Sequence, residues 1–281
     1  MERAFSLSVS VPTPFRIPHR VLALIGVITF ILACCLAGCT SNAADSDSSA
    51  TDGNATGEKT LRVAMELAYP PFETKDDAGN PEGLAVDFIR DFGAAYGYDV
   101  QIENTAWDGL IPSLQSDKAD LVISSMTITD ERKQSVDFST SYATGIQSIV
   151  VKEDSPITSA DDLYADGADY QIGVQQDTTG DIHCSDDFGD DHVQRFNKGA
   201  DAVAALVSGK LDCVVIDNEP AKSFVAANEG LKVLDTAYAV EDYAAAFAKG
   251  SELTEPFNKA LEELIADGTV QKIVDKYISA D

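Results

Sequence analysis

Apolar and polar positions along the chain follow two different periods. Alternating positions or short apolar runs predict strands, and apolar residues spaced three and four apart predict helices. Residues 61–65 and 98–104 show the first pattern, and residues 85–96, ended by Gly97, show the second. Strand and helix keep alternating as far as residue 234, and this order predicts a parallel sheet with helices on its faces. The expected fold class is therefore α/β.

The same two periods predict the other elements. The further predicted strands are residues 121–124, 146–152, 170–175, 193–196, 211–216, 231–234 and 240–248. The further predicted helices are residues 107–115, 159–164, 200–207, 219–227, 252–266 and 269–278. Two of the extended segments, 146–152 and 240–248, are long and leave few residues along the chain for a helix. We therefore expect each of them to cross from one lobe to the other.

Residues 120–132, DLVISSMTITDER, combine a buried strand, a turn and a predicted helix start. Thr129 is a good N-cap for that helix. Arg132 then falls in the first turn, where a cation opposes the helix dipole by ~0.3–1 kcal/mol, so an anion should lie near it. The anion is either a flanking carboxylate, Asp130 or Glu131, or a ligand carboxylate held by the guanidinium beyond the end of a strand.

An internal repeat connects this stretch to a second one. Residues 110–125, LIPSLQSDKADLVISS, align without gaps onto residues 202–217, AVAALVSGKLDCVVID. Both segments read as a helix followed by a buried strand, which suggests one such unit in each lobe. The alignment places Ser125 opposite Asp217, each at the end of its strand. Ligands of open α/β sheets bind at such strand ends.

Composition and charge narrow the possible functions. The 281 residues are enough for one large domain or for two lobes with their own cores. The formal net charge of −27 argues against a nucleic-acid partner, which needs a basic footprint, and against binding to anionic lipid by charge alone. We expect a monomer without a cofactor.

The N-terminal residues 1–38 have the pattern of a removable signal peptide. Three arginines precede an uncharged apolar run at residues 21–38, which ends in LAG directly before Cys39. This ending resembles the lipobox of bacterial lipoproteins, in which the signal is cut before a cysteine that carries diacylglycerol and palmitate. The alternative is a transmembrane helix, because 18 apolar residues nearly span a bilayer. Residues 39–59 have the composition of a flexible tether.

Two cysteines remain beyond that signal, Cys184 and Cys213. An even pair in an oxidising compartment favours a disulfide, and two buried thiols are the alternative. Cys184 belongs to residues 181–192, DIHCSDDFGDDH, whose His and Asp content raises the question of a metal site. The spacing matches no known ligand set well, so we expect a solvated acidic loop and no metal there.

Eight short motifs stand in order along residues 60–281. They read ELAYPPFE, GLAVDFI, AWDGLIPSLQ, DLVISSMTITDERK, VDFSTSY, VQQDTTG, DCVVIDNEPA and ADGTVQKIVDKY. Together they resemble the polar amino-acid substrate-binding proteins of ABC importers. The resemblance implies two Rossmann-like lobes joined by two crossing strands, the periplasmic binding protein type II fold, with a ligand cleft between the lobes. Lobe one would comprise residues 60–143 and 241–281, and lobe two residues 144–240.

The resemblance also assigns roles to single residues. Arg132 would bind the ligand α-carboxylate, assisted by Thr127 and by the backbone of Thr179. Asp217 and the carbonyl of Ser125 would receive the α-ammonium. The other expected ligand residues are two aromatic side chains that sandwich the ligand and an acid that reaches its side chain: Tyr69, Trp107 and Glu66.

Each of these residues also has a purely structural interpretation. Asp217 would cap the helix that follows it, Trp107 and Tyr69 would anchor the core, and Glu66 would be an exposed loop carboxylate. One position departs from the family pattern, because Asp177 stands where the family often has glycine. Its side chain would add an anion beside the carboxylate site.

The expected function is an amino-acid receptor without enzymatic activity, held at the outer face of the cell membrane through Cys39 and serving an ABC permease. Glu66 and Asp217 together favour a cationic amino acid such as arginine, lysine or ornithine as the ligand. The resemblance adds cystine, because family members that bind cystine carry the same glutamate. Two alternatives remain on the same fold. One is a dehydratase acting on prephenate-like acids, which needs a tuned general acid in the cleft, although an ammonium acceptor at Asp217 argues against it. The other is a ligand sensor for a membrane receptor.

Overall fold

The structure, a computed structural model, describes residues 59–278. The predicted signal peptide, Cys39 and residues 40–58 of the predicted tether lie outside the described residues. Lys59, the last residue assigned to the tether, is already the first residue of a strand. None of the helices in the described part of the chain is both long and apolar enough to cross a bilayer.

Lobe one is built on a five-stranded sheet. In spatial order its strands are β4 (Tyr98–Asn104), β1 (Lys59–Met65), β5 (Leu121–Val122), β13 (Ala246–Ala248) and β6 (Val136–Phe138). β1 is parallel to β4 and β5, whereas β13 is antiparallel to β5 and β6. The hairpin of β2 (Thr74–Lys75) and β3 (Pro81–Glu82) forms a separate two-stranded sheet. The helices of lobe one are α1 (Leu84–Tyr96), α2 (Leu110–Gln115), α3 (Arg132–Ser135), α7 (Thr254–Ala266) and α8 (Thr269–Tyr277).

Both faces of this sheet are buried. Successive strand residues point to opposite sides, and both sides are covered by helices. Val63 and Met65 pack with α1 and α7 on one face, whereas Ala64 between them packs with α2 on the other. A continuous apolar run is therefore what a sheet covered on both faces requires. The predicted helix stop at Gly97 is confirmed by a left-handed φ of 76° and by its backbone N–H, which donates to the carbonyl of Gly93.

Lobe two is built on a second sheet of six strands. In spatial order these are β11 (Leu231–Val233), β7 (Ala143–Lys152), β10 (Cys213–Asp217), β8 (Ile172–Gln175) and β9 (Val193–Phe196), with β12 (Ala239–Tyr243) also pairing with β7. β10, β8 and β9 are parallel, and β7 is antiparallel to its three partners. The helices of lobe two are α4 (Thr179–Phe188), α5 (Gly199–Val207) and α6 (Asn218–Ala227). Two sheet-containing lobes with helices on their faces confirm the expected α/β fold class.

Strands β7 and β12 run between the lobes as an antiparallel pair. Their register places Ala143 opposite Tyr243 and Gln147 opposite Ala239. β7 then continues into the sheet of lobe two, where Gln147 also pairs with Asp217 at the end of β10. This double pairing brings the side chain of Gln147 to the cavity between the lobes.

The sequence repeat corresponds to a structural repeat. A helix followed by a strand occurs as α2 and β5 in lobe one, and as α5 and β10 in lobe two. Asp120, just before β5, accepts a hydrogen bond from the backbone N–H of Arg62 at 2.7 Å. Asp212, just before β10, accepts from the backbone N–H of Gln171 at 2.7 Å. The matching aspartates thus tie the start of a strand to its neighbour in both lobes.

The helix predicted from Thr129 begins only at Arg132, so that boundary was wrong. The backbone N–H of Ile128 donates to the carbonyl of Asp242 at 2.9 Å, which keeps the chain extended beside β12. Thr129 still behaves as a cap, because its Oγ1 accepts from the backbone N–H of Arg132 at 3.1 Å. The helix that follows has only four residues, so its dipole is weak.

The acidic segment at residues 181–192 is helical, so the predicted loop was wrong. Most of it belongs to α4, and its end forms the 3₁₀ turn Asp190–His192. The segment lacks an apolar period, and other interactions hold it in place. The side chain of Thr178 accepts from the backbone N–H of Asp181 at 3.3 Å, and the Asp181 carboxylate pairs with Arg195 at 2.8 Å. A cap and a tertiary ion pair here replace the missing apolar stripe.

The possible disulfide between Cys184 and Cys213 is absent from the structure, in which both cysteines are free and buried. The two side chains belong to the same apolar cluster of lobe two, where they pack as small hydrophobic groups. Burial raises the pKa of the Cys184 thiol to about 12, and it also raises the pKa of the Cys213 thiol. The alternative of two buried thiols is the arrangement found.

We expect both thiols to resist modification in the folded protein. The thiolate is the reactive form, and burial disfavours it at both positions. An alkylating reagent at pH 8 should leave Cys184 and Cys213 unmodified for hours, whereas unfolding in guanidinium should expose both within minutes. Mass spectrometry of the two peptides measures the difference. Rapid labelling of either cysteine before unfolding would contradict their burial.

Candidate functional site

A cavity lies between the two lobes. The structure brings all eight ligand residues predicted from the sequence into the wall of this one cavity. They are Glu66, Tyr69, Trp107, Ser125, Thr127, Arg132, Thr179 and Asp217.

The wall is made by strand ends and by the segments that follow them. Glu66 directly follows β1, Ser125 and Thr127 follow β5, and Asp217 is the last residue of β10. Thr179 begins α4 after β8. Because the carboxyl ends of parallel strands meet at one edge of a sheet, each lobe directs its edge residues at the same cavity.

Arg132 is a buried cation in this cavity. Its Nη1 donates to the carbonyl of Thr127 at 2.9 Å, and its Nη2 donates to the carbonyl of Asp177 at 3.1 Å. The guanidinium carbon lies 5.3 Å from the centroid of the Trp107 ring. Among the described residues 59–278, Arg132 forms no ion pair with a carboxylate, and burial lowers its pKa. An unpaired buried charge costs free energy, so this position favours an anionic group on a ligand.

Asp217 is a buried anion contributed by the other lobe. Its Oδ2 accepts from the hydroxyl groups of Tyr69 and Tyr243, and its Oδ1 accepts from Nε2 of Gln147. Burial raises the pKa of Asp217 to about 7, although these donors act in the opposite direction. Within the described part of the chain no cationic side chain pairs with it. An ammonium group would supply the missing counter-charge.

Two further carboxyl groups line the cavity. Oε2 of Glu66 accepts from Nε2 of Gln175 in the other lobe at 2.7 Å. Glu73 accepts from the hydroxyls of Ser124 and Ser125, both at 3.3 Å. Burial raises the pKa of both carboxyl groups, and the pKa of Glu73 lies well above its ordinary value. The lining therefore holds three carboxyl groups and one guanidinium.

Asp177 joins lobe two to the cation of lobe one. It is a non-glycine residue with a left-handed φ of 60°. This unusual conformation directs its carbonyl at lobe one, where Nε1 of Trp107 and Nη2 of Arg132 both donate to it at 3.1 Å. Its negative charge favours the protonated form of Arg132 and opposes the lowering of that pKa by burial. Asp177 therefore contacts Arg132 through its carbonyl and acts on it through its charge.

The structural interpretations considered for three of the residues do not match their contacts. Asp217 occupies the N-cap position of α6, but its side chain makes no capping hydrogen bond. Glu66 is 5% exposed and is not a solvated loop carboxylate. Asp130 pairs with Lys133 at 3.0 Å, so it is not the partner of Arg132.

Sequence reasoning missed five residues that contribute to the site: Glu73, Gln147, Gln175, Glu241 and Tyr243. Glu73 and Gln175 lie within the motifs ELAYPPFE and VQQDTTG, yet no role was assigned to them. Gln147 and Glu241 are polar residues on the crossing strands, and both are buried. A polar residue inside a predicted crossing strand was the available signal, because a buried polar group needs a partner.

Comparison with protein families gives a match over most of the chain. Residues 61–280 match the family model described as bacterial extracellular solute-binding proteins, family 3. The matched region includes every cavity residue named above.

Individual proteins match over most of their own length. The chain is 34% identical over 249 residues to the arginine-binding extracellular protein ArtP of Bacillus subtilis strain 168, and the alignment covers 88% of this chain and 96% of ArtP. It is 33% identical over 232 residues to the L-cystine-binding protein TcyJ of Escherichia coli strain K12, covering 79% and 84%. The solved structure of the arginine-, lysine-, histidine-binding protein ArtJ from Geobacillus stearothermophilus matches with a TM-score of 0.74 and 36% identity, covering 79% of this chain and 96% of that chain.

Proposed function

Since the chain belongs to the bacterial extracellular solute-binding proteins of family 3, we propose that it is an extracytoplasmic receptor that binds a free L-amino acid and delivers it to an ABC importer. The fold is that of type II periplasmic binding proteins. Among the relatives described above, both ArtP and TcyJ are named as amino-acid-binding proteins.

The observation that carries this proposal is a pair of buried, opposite charges that face one cavity from different lobes. Arg132 comes from lobe one and Asp217 from lobe two, and neither has an ion-pair partner within residues 59–278. The carboxylate and ammonium of an amino-acid zwitterion supply both missing counter-charges. A ligand that contacts both lobes binds the closed arrangement better than the open one, which shifts the population towards closure.

The same lining supports a cationic amino acid or cystine as the ligand. Glu66 is buried in the cavity wall. Because Arg132 and Asp217 already account for the carboxylate and the ammonium of the zwitterion, the carboxylate of Glu66 is available to a ligand side chain. Arginine, lysine and ornithine carry a side-chain cation that would complement it, and cystine carries a second ammonium. The names of ArtP, ArtJ and TcyJ support both ligand classes.

Isothermal titration calorimetry against the twenty amino acids, ornithine and cystine tests the proposal. We expect at least one cationic amino acid or cystine to bind with a dissociation constant in the micromolar range or below. If no compound bound more tightly than the millimolar range, the receptor function would be rejected. Assays of prephenate and arogenate turnover test the dehydratase alternative, for which we expect no product because Asp217 provides an ammonium acceptor.

The location and the partner are part of the same proposal. A lipid on Cys39 would hold the binding domain at the outer face of the cell membrane. Replacing Cys39 with serine should abolish the incorporation of labelled palmitate into the protein and leave the ligand affinity of the binding domain unchanged. Uptake of the labelled ligand in a deletion strain separates delivery to a permease from sensing, because a pure sensor would leave uptake intact.

Replacing Glu66 with glutamine should lower the affinity for a cationic amino acid about tenfold, because loss of one favourable charge contact costs roughly 1.5 kcal/mol. The affinity for neutral glutamine should change by less than about threefold. Glu103→Gln provides a matched control, since Glu103 is an exposed acid of the same lobe on β4. Calorimetry with both ligands measures the contrast. An equal loss for both ligands would show that Glu66 supports the cavity without contacting the ligand side chain.

A further inference from the structure

Glu241, on the crossing strand β12, holds the hydroxyl groups of two residues assigned to the ligand carboxylate. Its Oε2 accepts from Oγ1 of Thr127 in lobe one and from Oγ1 of Thr179 in lobe two, both at 2.8 Å. The same oxygen accepts from Nε2 of Gln147, on the other crossing strand, at 3.3 Å. One buried oxygen atom therefore joins both lobes and both crossing strands.

The second oxygen of Glu241 has a different environment. Oε1 has no hydrogen-bond partner among the described residues, and it lies 3.4 Å from Nε2 of His183. Glu241 is 7% exposed and stands outside the cavity wall. Buried carboxylates normally distribute their hydrogen bonds over both oxygens. In Glu241 all three donors instead bind Oε2, so the interaction of Glu241 with the two threonines depends on the position of this one oxygen.

Gln147 extends this network to the ammonium end of the site. Its Nε2 donates both to Glu241 and to Oδ1 of Asp217. At the opposite end of the network, Glu241 accepts from the hydroxyls of Thr127 and Thr179. The groups assigned to the two ends of a zwitterion are thus connected through two side chains that stand on the crossing strands.

We propose that Glu241 is a positioning residue, which orients the hydroxyls of Thr127 and Thr179 and thereby makes closure of the lobes around a carboxylate more favourable. This inference rests on the proposed amino-acid function. Because both hydroxyl protons are directed at Glu241, a ligand carboxylate is bound by Arg132 and by backbone N–H groups at the start of α4. Pairing of Thr127 with Tyr243 holds the hydroxyl of Thr127 beside Glu241 within lobe one. The hydroxyl of Thr179 comes from the other lobe, so its hydrogen bond to Oε2 forms as the cleft closes.

Three substitutions separate this role from general stability. Glu241→Ala removes the acceptor and should weaken binding of the best amino acid about tenfold to a hundredfold. Glu241→Gln keeps an oxygen that can accept the same three donors, so binding should stay within about threefold of wild type. Asp242→Ala is the matched control, because Asp242 is an exposed neighbour on the same strand. Calorimetry gives the affinities, and thermal unfolding shows whether each variant remains folded.

A double-mutant cycle tests whether Glu241 acts through the threonines. Thr179→Val should weaken binding to a similar extent, and the combination with Glu241→Ala should be no weaker than the weaker-binding single variant, because both changes break the same hydrogen bond. Additive losses would overturn the proposal, and so would wild-type affinity in Glu241→Ala or an equal loss in Glu241→Gln. If Glu241→Ala unfolds, Thr127→Val and Thr179→Val test the same two hydrogen bonds without removing a buried charge, and wild-type affinity in both would overturn it.

The unliganded protein provides a readout that does not depend on the proposed function. Spin labels at the exposed positions Glu103 in lobe one and Lys210 in lobe two report the distance between the lobes. Glu241→Ala should lower the fraction of closed molecules relative to wild type, whereas Asp242→Ala should leave it unchanged. If wild type bound no amino acid, the receptor function would fail, but this distance would still decide the role of Glu241. An unchanged closed fraction in Glu241→Ala would overturn the inference.

Discussion

Replacing Arg132 with alanine should abolish detectable amino-acid binding while the protein stays folded. The guanidinium is buried and has two carbonyl partners but no carboxylate among the described residues, so its charge is available to the ligand. Truncating one side of a buried, hydrogen-bonded charge pair costs about 2–5 kcal/mol, which corresponds to a loss of affinity of roughly 30-fold to several thousand-fold. Titration calorimetry with the best wild-type ligand measures this loss.

Lys133→Ala is a closely matched control for this experiment. Lys133 is the next residue, it is exposed, and it pairs with Asp130 on the surface, so its removal should leave the affinity within about twofold. Thermal unfolding of both variants should give midpoints close to wild type, because the carbonyl partners of Arg132 can bind water in the emptied space. Normal binding by Arg132→Ala, or its failure to fold, would show that Arg132 is structural.

The sequence around Arg132 shows what sequence patterns predict about this part of the site and what they miss. The cation after a buried strand predicted an anion nearby. In the structure Asp130 pairs with Lys133, and Glu131 favours the protonated form of Arg132 through its charge without forming an ion pair with it. Binding of a ligand carboxylate at Arg132 stays a prediction. The helix boundary was three residues too early, because pairing of Ile128 with Asp242 is a contact between distant parts of the chain. Local propensity contains no information about such a contact.

Elements with a strong apolar period were predicted well. β4 and β9 have the predicted bounds, because alternation and flanking turns specify them locally. The helical course of residues 181–188 was missed because the stability of α4 comes from the Thr178 cap and from the ion pair between Asp181 and Arg195, and neither produces an apolar pattern. The disulfide failed for a related reason, since spacing cannot show whether two cysteines meet or pack as separate thiols.

The parts of the site that could be predicted are those within recognisable motifs at strand ends. All eight such residues line one cavity, but the hydrogen bonds that organise them were not accessible from the sequence. Gln147 and Glu241 are separated by 94 positions, and only the antiparallel pairing of β7 with β12 brings them together. The residues that complete a binding site in this way depend on strand register, which is a property of the fold.

Binding should weaken as the pH falls from 7 to 5, and Asp217→Asn should remove this dependence. Burial raises the pKa of Asp217 to about 7, whereas an aspartate in an unfolded chain titrates near 3.9. A ligand ammonium needs the ionised carboxylate, so below pH 7 binding must displace a proton, and the affinity falls about tenfold per pH unit. Asp217→Asn should bind roughly 30-fold to several thousand-fold more weakly at pH 8, because it lacks the charge.

The stability of the unliganded protein should respond to pH with the opposite sign. The folded state holds the Asp217 proton more tightly than the unfolded state, so this stabilising contribution is present below about pH 4 and is lost as the pH rises through about 7. The difference in unfolding midpoint between wild type and Asp217→Asn should be present at low pH and disappear as the pH rises through about 7, whereas the exposed control Asp201→Asn should show no such trend.

The pH dependence of ligand binding is checked separately. Calorimetry in two buffers of different ionisation enthalpy measures the protons released when the ligand binds. Release that persists in Asp217→Asn would assign the titration to another buried carboxyl group of the cavity, Glu66 or Glu73.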